Sequence, residues 1–374
     1  MENINKVKDI NESMQGIKIQ MSALDPFVVD NIPESTETKA RGKDFILWGP
    51  DNKYPNYLWD LYQDVTTLQT IINGTVDFIC GDDIQCTVPG FDKVVNKDGE
   101  TIRDIVKKIS LDEMIFGGFA LQIIKNFAGG NAEIYALDFM KVRTNEKNEI
   151  IYYSDDWSKW GAKYLVYPKY KAGDENPTSV YYHKGHITRS TYPIPIYGAA
   201  IIPCELEKSI NQFHLNNINN GFMSNLIINF NNGQPNDEQK EEIERNINEK
   251  FSGYQNAGRI LISYNDSDEN KTTVERLSGD DFDQKYQALA ERSREQIFTS
   301  FRANSALFGI NHSTGFSENE FNESFKLYNR TVVRPIQNDI IDVFDRIFGV
   351  EGSIVITPFR LTANGEADSN EVVA

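Results

Sequence analysis

Toward the end of the chain, eight apolar residues recur every three or four positions: Phe321, Phe325, Tyr328, Val332, Ile336, Ile340, Phe344 and Ile347. Only an α-helix brings residues at that spacing onto one face. The pattern predicts a helix from about Glu318 to Phe348, opened by a capping box of Ser317 and Glu320. Pro335 lies inside it, lacks an N–H and collides with the preceding turn, so a kink is expected there. A stripe of this length needs a large body to lie along, and the rest of the chain has to supply it.

The first half carries the signals of such a body. Leu58, Leu61, Tyr62, Val65, Leu68 and Ile72 follow the motif WGPDNKYPNYLWDLY at helical spacing, and Gly81 is placed to end that region. A second helix is expected from Thr101, with Asp104 completing a capping box and Ile102, Ile105, Val106 and Ile109 as its apolar stripe. From Phe119 the period changes to two. FALQIIKN and NAEIYALDF flank Ala128-Gly129-Gly130 as a β-hairpin, and IIYYS, KYLVYP and SVYYH read as further short strands. Residues 43–200 therefore read as an α+β unit with a mostly antiparallel sheet. Residues 1–42 read as a flexible arm.

A different pattern starts at Pro203. Leu206, Ile210 and Phe213 mark a helix running to about Gly221. A small insert follows: strand SNLIINF, a helix opened by Pro235-Asn236-Asp237, and strands GRILISYN and KTTVERL. A returning helix is expected from about Asp281 to Ala303. Phe282, Tyr286, Leu289, Ser293, Ile297 and Phe301 form its seam. That seam can pack within the subunit or on the same helix of a neighbouring copy. A glycine-bearing loop then leads into the long helix, and after strand SIVITPF the tail reads as disordered. The layout is a body, a helix leading out, a small α/β tip, a helix leading back, and the long kinked helix.

Charge narrows the function. Formal net charge is −17 over 374 residues, and a field of that sign repels phosphates, which excludes an ordinary DNA-coating protein. The stretch Asp237 to Asp283 alone holds 13 acidic and 6 basic residues, net −7. Cys80, Cys86 and Cys204 are an odd, sparse set, which argues for a reducing compartment rather than a disulfide framework. The opening residues lack the apolar run of a signal peptide, and no stretch reaches the length of a membrane-spanning helix, so a soluble protein made in a cytoplasm is expected.

Candidate chemistry is sparse. His183 and His186 stand three apart, a spacing that can share a metal, but no third ligand accompanies them. Cys80 and Cys86 lack a zinc spacing and read as buried thiols. Gly117-Gly118 is not followed by the lysine and hydroxyl residue of a phosphate loop, and Asp82-Asp83 reads as the turn after a helix. No Gly-x-Ser-x-Gly or HExxH motif occurs. No cofactor is expected.

The order of elements resembles the portal, or head–tail connector, proteins of tailed double-stranded-DNA bacteriophages. The resemblance is carried by NKYPNYLWDLY with TLQTIINGTVDFICG, EMIFGGFALQIIKN, YPIPIYGAAIIP, FSGYQNAGRILI, and SREQIFTSFRANSALFGI followed by SENEFNESFKLYNRTVVRPIQNDI, over roughly residues 45–350. Family members usually carry prolines where this chain has Ala303-Asn304-Ser305. They often carry a serine-proline soon after the tyrosine-glycine, where this chain has Ala199-Ala200.

The resemblance implies an α+β, portal-like fold. It consists of a wing (43–203), a stem of two helices (204–223 and 281–303), a clip (224–280), and a tunnel loop with the kinked wing helix (304–348). A short C-terminal strand and tail (349–374) follow, so a helical crown is absent or minimal. It implies a non-enzymatic ring of about twelve subunits at one capsid vertex of a virion, assembled in the bacterial cytoplasm. Double-stranded DNA would pass through it without sequence preference during packaging and ejection.

The implied partners are the large terminase subunit, the major capsid protein, a scaffold and a head-completion adaptor, with no membrane. Asn311, His312, Ser313, Thr314 and Gly315 would be the channel-facing tunnel loop, and Asp237, Glu238, Glu241, Glu242 and Glu244 a docking surface on the clip. Phe282, Tyr286, Leu289, Ile297 and Phe301 would be stem packing. The residues alone leave two rivals open: an α+β nucleic-acid-processing enzyme and an adaptor that forms no ring.

Overall fold

A computed structural model describes residues 32–126, 129–159, 161–185, 189–219, 226–230, 260–264, 280–309 and 318–359. Strands β1 (Glu37–Lys39) and β2 (Ile46–Trp48) pair antiparallel. Part of the stretch expected to be an arm, Glu37–Lys39, is thus a paired strand. Helix α1 (Tyr54–Asp64) carries a proline in its first turn, where the missing N–H has no partner to lose. It is followed directly by α2 (Thr66–Cys80), which ends where the sequence placed its stop. Gly81 has φ 58°, and a Cβ there would lie 2.0 Å from the Thr357 carbonyl oxygen, so only glycine admits that approach. The oxygen belongs to β12 (Ile354–Thr357), which pairs antiparallel with β3 (Asp83–Cys86) and returns the end of the described chain to its first helices.

Helix α3 (Ile102–Phe116) opens in the expected capping box. Asp104 N donates to Thr101 Oγ1 at 3.2 Å, and Thr101 N donates to Asp104 Oδ2 at 2.9 Å. The hairpin is found as β4 (Gly118–Lys125) and β5 (Asn131–Leu137), with a bulge at Ile124/Lys125. Strand β9 (Thr178–Lys184) pairs on the other edge of β4, giving the order β5-β4-β9. Strands β6 (Val142–Thr144), β7 (Ile150–Tyr153) and β8 (Leu165–Pro168) form a second antiparallel sheet. The core joins these layers: Leu58 and Leu61 of α1, Leu68 and Ile72 of α2, Ile105 and Ile109 of α3, and Phe119 and Leu121 of β4 are all fully buried.

Helix α4 (Ile201–Asn219) leads out and α5 (Asp280–Ser300) leads back. Between them β10 (Leu226–Phe230) and β11 (Ile260–Tyr264) pair in parallel. The insert helix and the strand KTTVERL lie outside the described residues, as do the capping box at Ser317 and the tail.

The long C-terminal helix is two helices joined by a π turn: α6 (Glu318–Tyr328), the turn Asn329–Val333, and α7 (Arg334–Phe348). The sequence predicted a proline kink. The structure instead widens the turn just before Pro335, so that Arg334 N bonds back to the Asn329 carbonyl, five residues away. Val332, Ile340, Phe344 and Ile347 stay buried on either side of it. No helix among the described residues is long and apolar enough to cross a membrane.

Candidate functional site: the helix pair and its seat on the body

The candidate site grows from the segment that feeds α4. Its carboxylate anchor comes from β1. Glu37 Oε2 accepts from Thr191 N at 2.9 Å, and Glu37 Oε1 accepts from Tyr192 N at 2.7 Å. The Tyr192 ring stacks on Trp48 with centroids 4.5 Å apart, and its hydroxyl donates to the Ile46 carbonyl. Behind Trp48 lies Arg143, fully buried. Its guanidinium donates to Asn52 Oδ1 (2.5 Å), the Asn52 carbonyl (2.7 Å), the Met140 carbonyl (2.9 Å) and the Val142 carbonyl (2.7 Å). It faces the rings of Trp48 at 5.8 Å and Trp157 at 5.2 Å. Burial draws its pKa down to about 10, so the charge persists at neutral pH.

The root of α4 is held next. Tyr197 is fully buried, donates its hydroxyl to the Ile115 carbonyl at 2.8 Å, and stacks on Phe301 at 5.6 Å. Cys204 sits beside it without contact to solvent, and burial pushes its thiol up. Glu207 Oε1 accepts from Thr67 N at 3.1 Å and Thr67 Oγ1 at 3.0 Å, a carboxylate placed at the N-terminus of α2 where the helix dipole favours it. Lys208 pairs with Asp64 of α1 at 2.9 Å.

Helix α5 completes the pair. Phe213 meets Tyr286 at 4.6 Å, and Tyr197 meets Phe301 at 5.6 Å. Contacts that climb α4 while descending α5 make the two helices antiparallel. Of the expected seam, Ile297 and Phe301 are fully buried in the body, Tyr286 is half-buried against α4, and Leu289 stays 42% exposed. Phe282 lies in the first turn of α5, and its side chain is outside the described residues.

The chain leaves α5 through a short 3-10 turn, Ser305–Phe308, in which Asn304 Oδ1 accepts from Ala306 N at 3.1 Å. The residue standing where the family tends to have proline is thus a cap. Phe308 reaches Phe298 (6.1 Å) and Tyr328 (5.9 Å), and its ring fills the space beside Gly74.

The remaining sequence candidates are dispersed. Asn311, His312, Ser313, Thr314 and Gly315, and Asp237, Glu238, Glu241, Glu242 and Glu244, lie outside the described residues, as does His186. His183 stacks on Phe119 at 4.6 Å with Glu113 3.9 Å away. Among the described residues no three His, Cys, Asp or Glu side chains are grouped to hold a metal ion. Cys80 and Cys86 are buried, as expected, and Cys204 is buried as well. Sequence reasoning missed Arg143, Glu37 and Glu207. Their partners are 91, 154 and 140 residues away, so no local pattern announces them.

The fold is an α+β body with an outgoing and a returning helix, as the sequence resemblance implied. No family model and no curated protein sequence matches the chain. Solved structures do. A chain in the virion of a native gene transfer agent particle has a TM-score of 0.52 at 15% identity, over 82% of this chain and 84% of that one. A chain in the neck of a native gene transfer agent particle, computed with C12 symmetry, has a TM-score of 0.51 at 15% identity, covering 80% and 83%. An HK97-family phage portal protein from Corynebacterium diphtheriae has a TM-score of 0.45 at 11% identity, covering 76% and 87%. At such identities what is shared is the fold.

Proposed function

We propose that this chain is the subunit of a portal ring at one vertex of a phage-like capsid, a conduit for DNA during packaging and ejection with no bond chemistry of its own. One observation carries the reading. A helix leaves an α+β body and returns antiparallel beside itself, in a fold shared over 82% of the chain with a virion component. A neck computed with twelvefold symmetry holds a chain of the same fold, which supports a cyclic assembly of about twelve copies here.

In that reading α4 and α5 are the stem and residues 224–280 the clip. Residues 311–315 line the channel with small polar side chains, and Asp237, Glu238, Glu241, Glu242 and Glu244 meet the terminase or, later, an adaptor. Net charge of −17 per chain, multiplied around a ring, keeps phosphates from settling and lets DNA slide.

The test is native mass spectrometry with negative-stain imaging of the purified chain. A ring with a central hole is expected. A chain that stays monomeric across concentration and salt, or that cleaves DNA in the presence of a divalent metal, refutes the reading.

A further inference from the structure

Three isoleucines at the root of α4 face solvent: Ile194 is 53% exposed, Ile196 37% and Ile202 61%. They form one patch. Gly198 N donates to the Pro195 carbonyl at 2.9 Å, closing a turn, and Ile194 Cγ2 lies 3.0 Å from where a Cβ of Gly198 would stand. Ile202 follows Gly198 by four residues of helical backbone, hence one turn above it on the same side.

A second exposed apolar side chain, Leu327 of α6, is 65% exposed. Between the two patches runs a row of buried rings. Tyr197 stacks on Phe301; Phe298 of the same helix meets Phe308, and Phe308 meets Tyr328, the neighbour of Leu327. Ile196 adjoins Tyr197 and Leu327 adjoins Tyr328, so the isoleucines and Leu327 flank the two ends of this run of ring contacts.

We propose that these are the two halves of the contact between adjacent copies: Ile194, Ile196 and Ile202 of one chain seat against Leu327 of the next. This rests on the ring reading and assigns its interface. A closed ring larger than a dimer uses a heterologous contact, with different surfaces on its two sides, and the fold supplies two apolar surfaces where such a contact needs them.

The sizes and charges agree with a second copy as the occupant. The isoleucine patch exposes on the order of 250 Å² of apolar surface, contiguous rather than scattered singly. It suffices as the apolar core of the roughly 800 Å² per partner that a stable interface buries, with polar residues around it. Glu205, three residues on from Ile202, shares its helix face, and exposed Arg330, three residues on from Leu327, shares that one. Apposing the two patches brings acid to base.

The test uses the full chain, with Ile202→Asp and Leu327→Glu prepared separately and then mixed. Both side chains are exposed, so each variant is expected to keep the wild-type circular dichroism spectrum. In sedimentation velocity, wild type should give rings and each variant alone should give monomers. The equimolar mixture should give dimers and nothing larger. One intact contact then survives, between Leu327 of the first variant and Ile202 of the second, while the opposite contact juxtaposes two carboxylates. A ring from either variant overturns the assignment and leaves the ring reading standing. Loss of rings in Ile202→Asp alone, with Leu327→Glu unaffected, also overturns it. A wild-type chain that never oligomerises overturns the ring reading, and the pairing with it.

Discussion

Replacing Arg143 by methionine removes the charge and all four donors while keeping most of the volume. Asn52 loses two of its partners, one at its side-chain oxygen and one at its carbonyl, and the Met140 and Val142 carbonyls lose theirs. A buried acceptor left unpaired costs about 1–3 kcal/mol, and each aromatic face loses a further ~0.5–1 kcal/mol of cation–π attraction. Against this, the variant no longer desolvates a charge, the effect that draws the Arg143 pKa down. The net is roughly 3–4 kcal/mol of destabilisation.

Asn52 adds leverage. It holds a left-handed backbone, φ 63°, and its Oδ1 also accepts from Trp48 N at 3.0 Å, so losing Arg143 loosens the turn that orients the Trp48–Tyr192 stack. Denaturant melts of Ile202→Asp with and without Arg143→Met, at one chain concentration, measure the effect. A midpoint shift worth less than about 1 kcal/mol would refute the reasoning, because it would mean that the buried guanidinium is replaceable by packing alone. Arg143→Lys should recover little, since an ammonium cannot span acceptors arranged for a fork.

Glu37→Ala should leave the core intact but raise amide exchange at Thr191 and Tyr192 by one to two orders of magnitude, on the order of 2 kcal/mol of local opening; unchanged exchange there would show that the carboxylate anchors nothing. Gly81→Ala forces a Cβ to within 2.0 Å of a backbone oxygen at positive φ and should cost roughly 3 kcal/mol or more by denaturant melt. Burial, and secondarily the charge of Asp339, lifts the Glu113 carboxyl to about 8. The folded state therefore binds this proton more tightly than the unfolded chain. Stability should fall as pH rises from about 4.5 to about 8 and level off above, by roughly 5 kcal/mol at most. Glu113→Gln should flatten that slope and be the more stable protein at pH 8 and above; equal slopes would remove Glu113 as the cause.

Features set by neighbours in sequence were legible: the capping box at Thr101, the stop at Gly81, the hairpin around Gly129-Gly130 and the burial of the cysteines. Features set by distant partners were not. Nothing in VRT marks Arg143 as buried, and nothing in ETK marks Glu37 as an anchor for a segment 154 residues on. The π turn lay between these cases. Tyr328, Val332, Ile336, Ile340 and Phe344 are spaced by four throughout, which outruns the 3.6-residue period and would carry the stripe around an ordinary helix. One residue absorbed in a wider turn brings it back. Pro335 drew attention to a kink, while the run of fours held the information. The expected tunnel-loop and clip residues rested on resemblance alone, since a small polar loop and an acidic helix face have no periodicity to read.

The parallel pairing of β10 with β11 has a consequence for the insert. A hairpin would let the chain turn back at the end of β10 and come home beside it. Strands that run the same way do not: the chain must travel the length of β10 a second time, roughly 17 Å, before β11 can begin. It then finishes β11 pointing away from where it entered. A connection from β10 to β11 shorter than the reach of that distance would force β11 to abandon its partner.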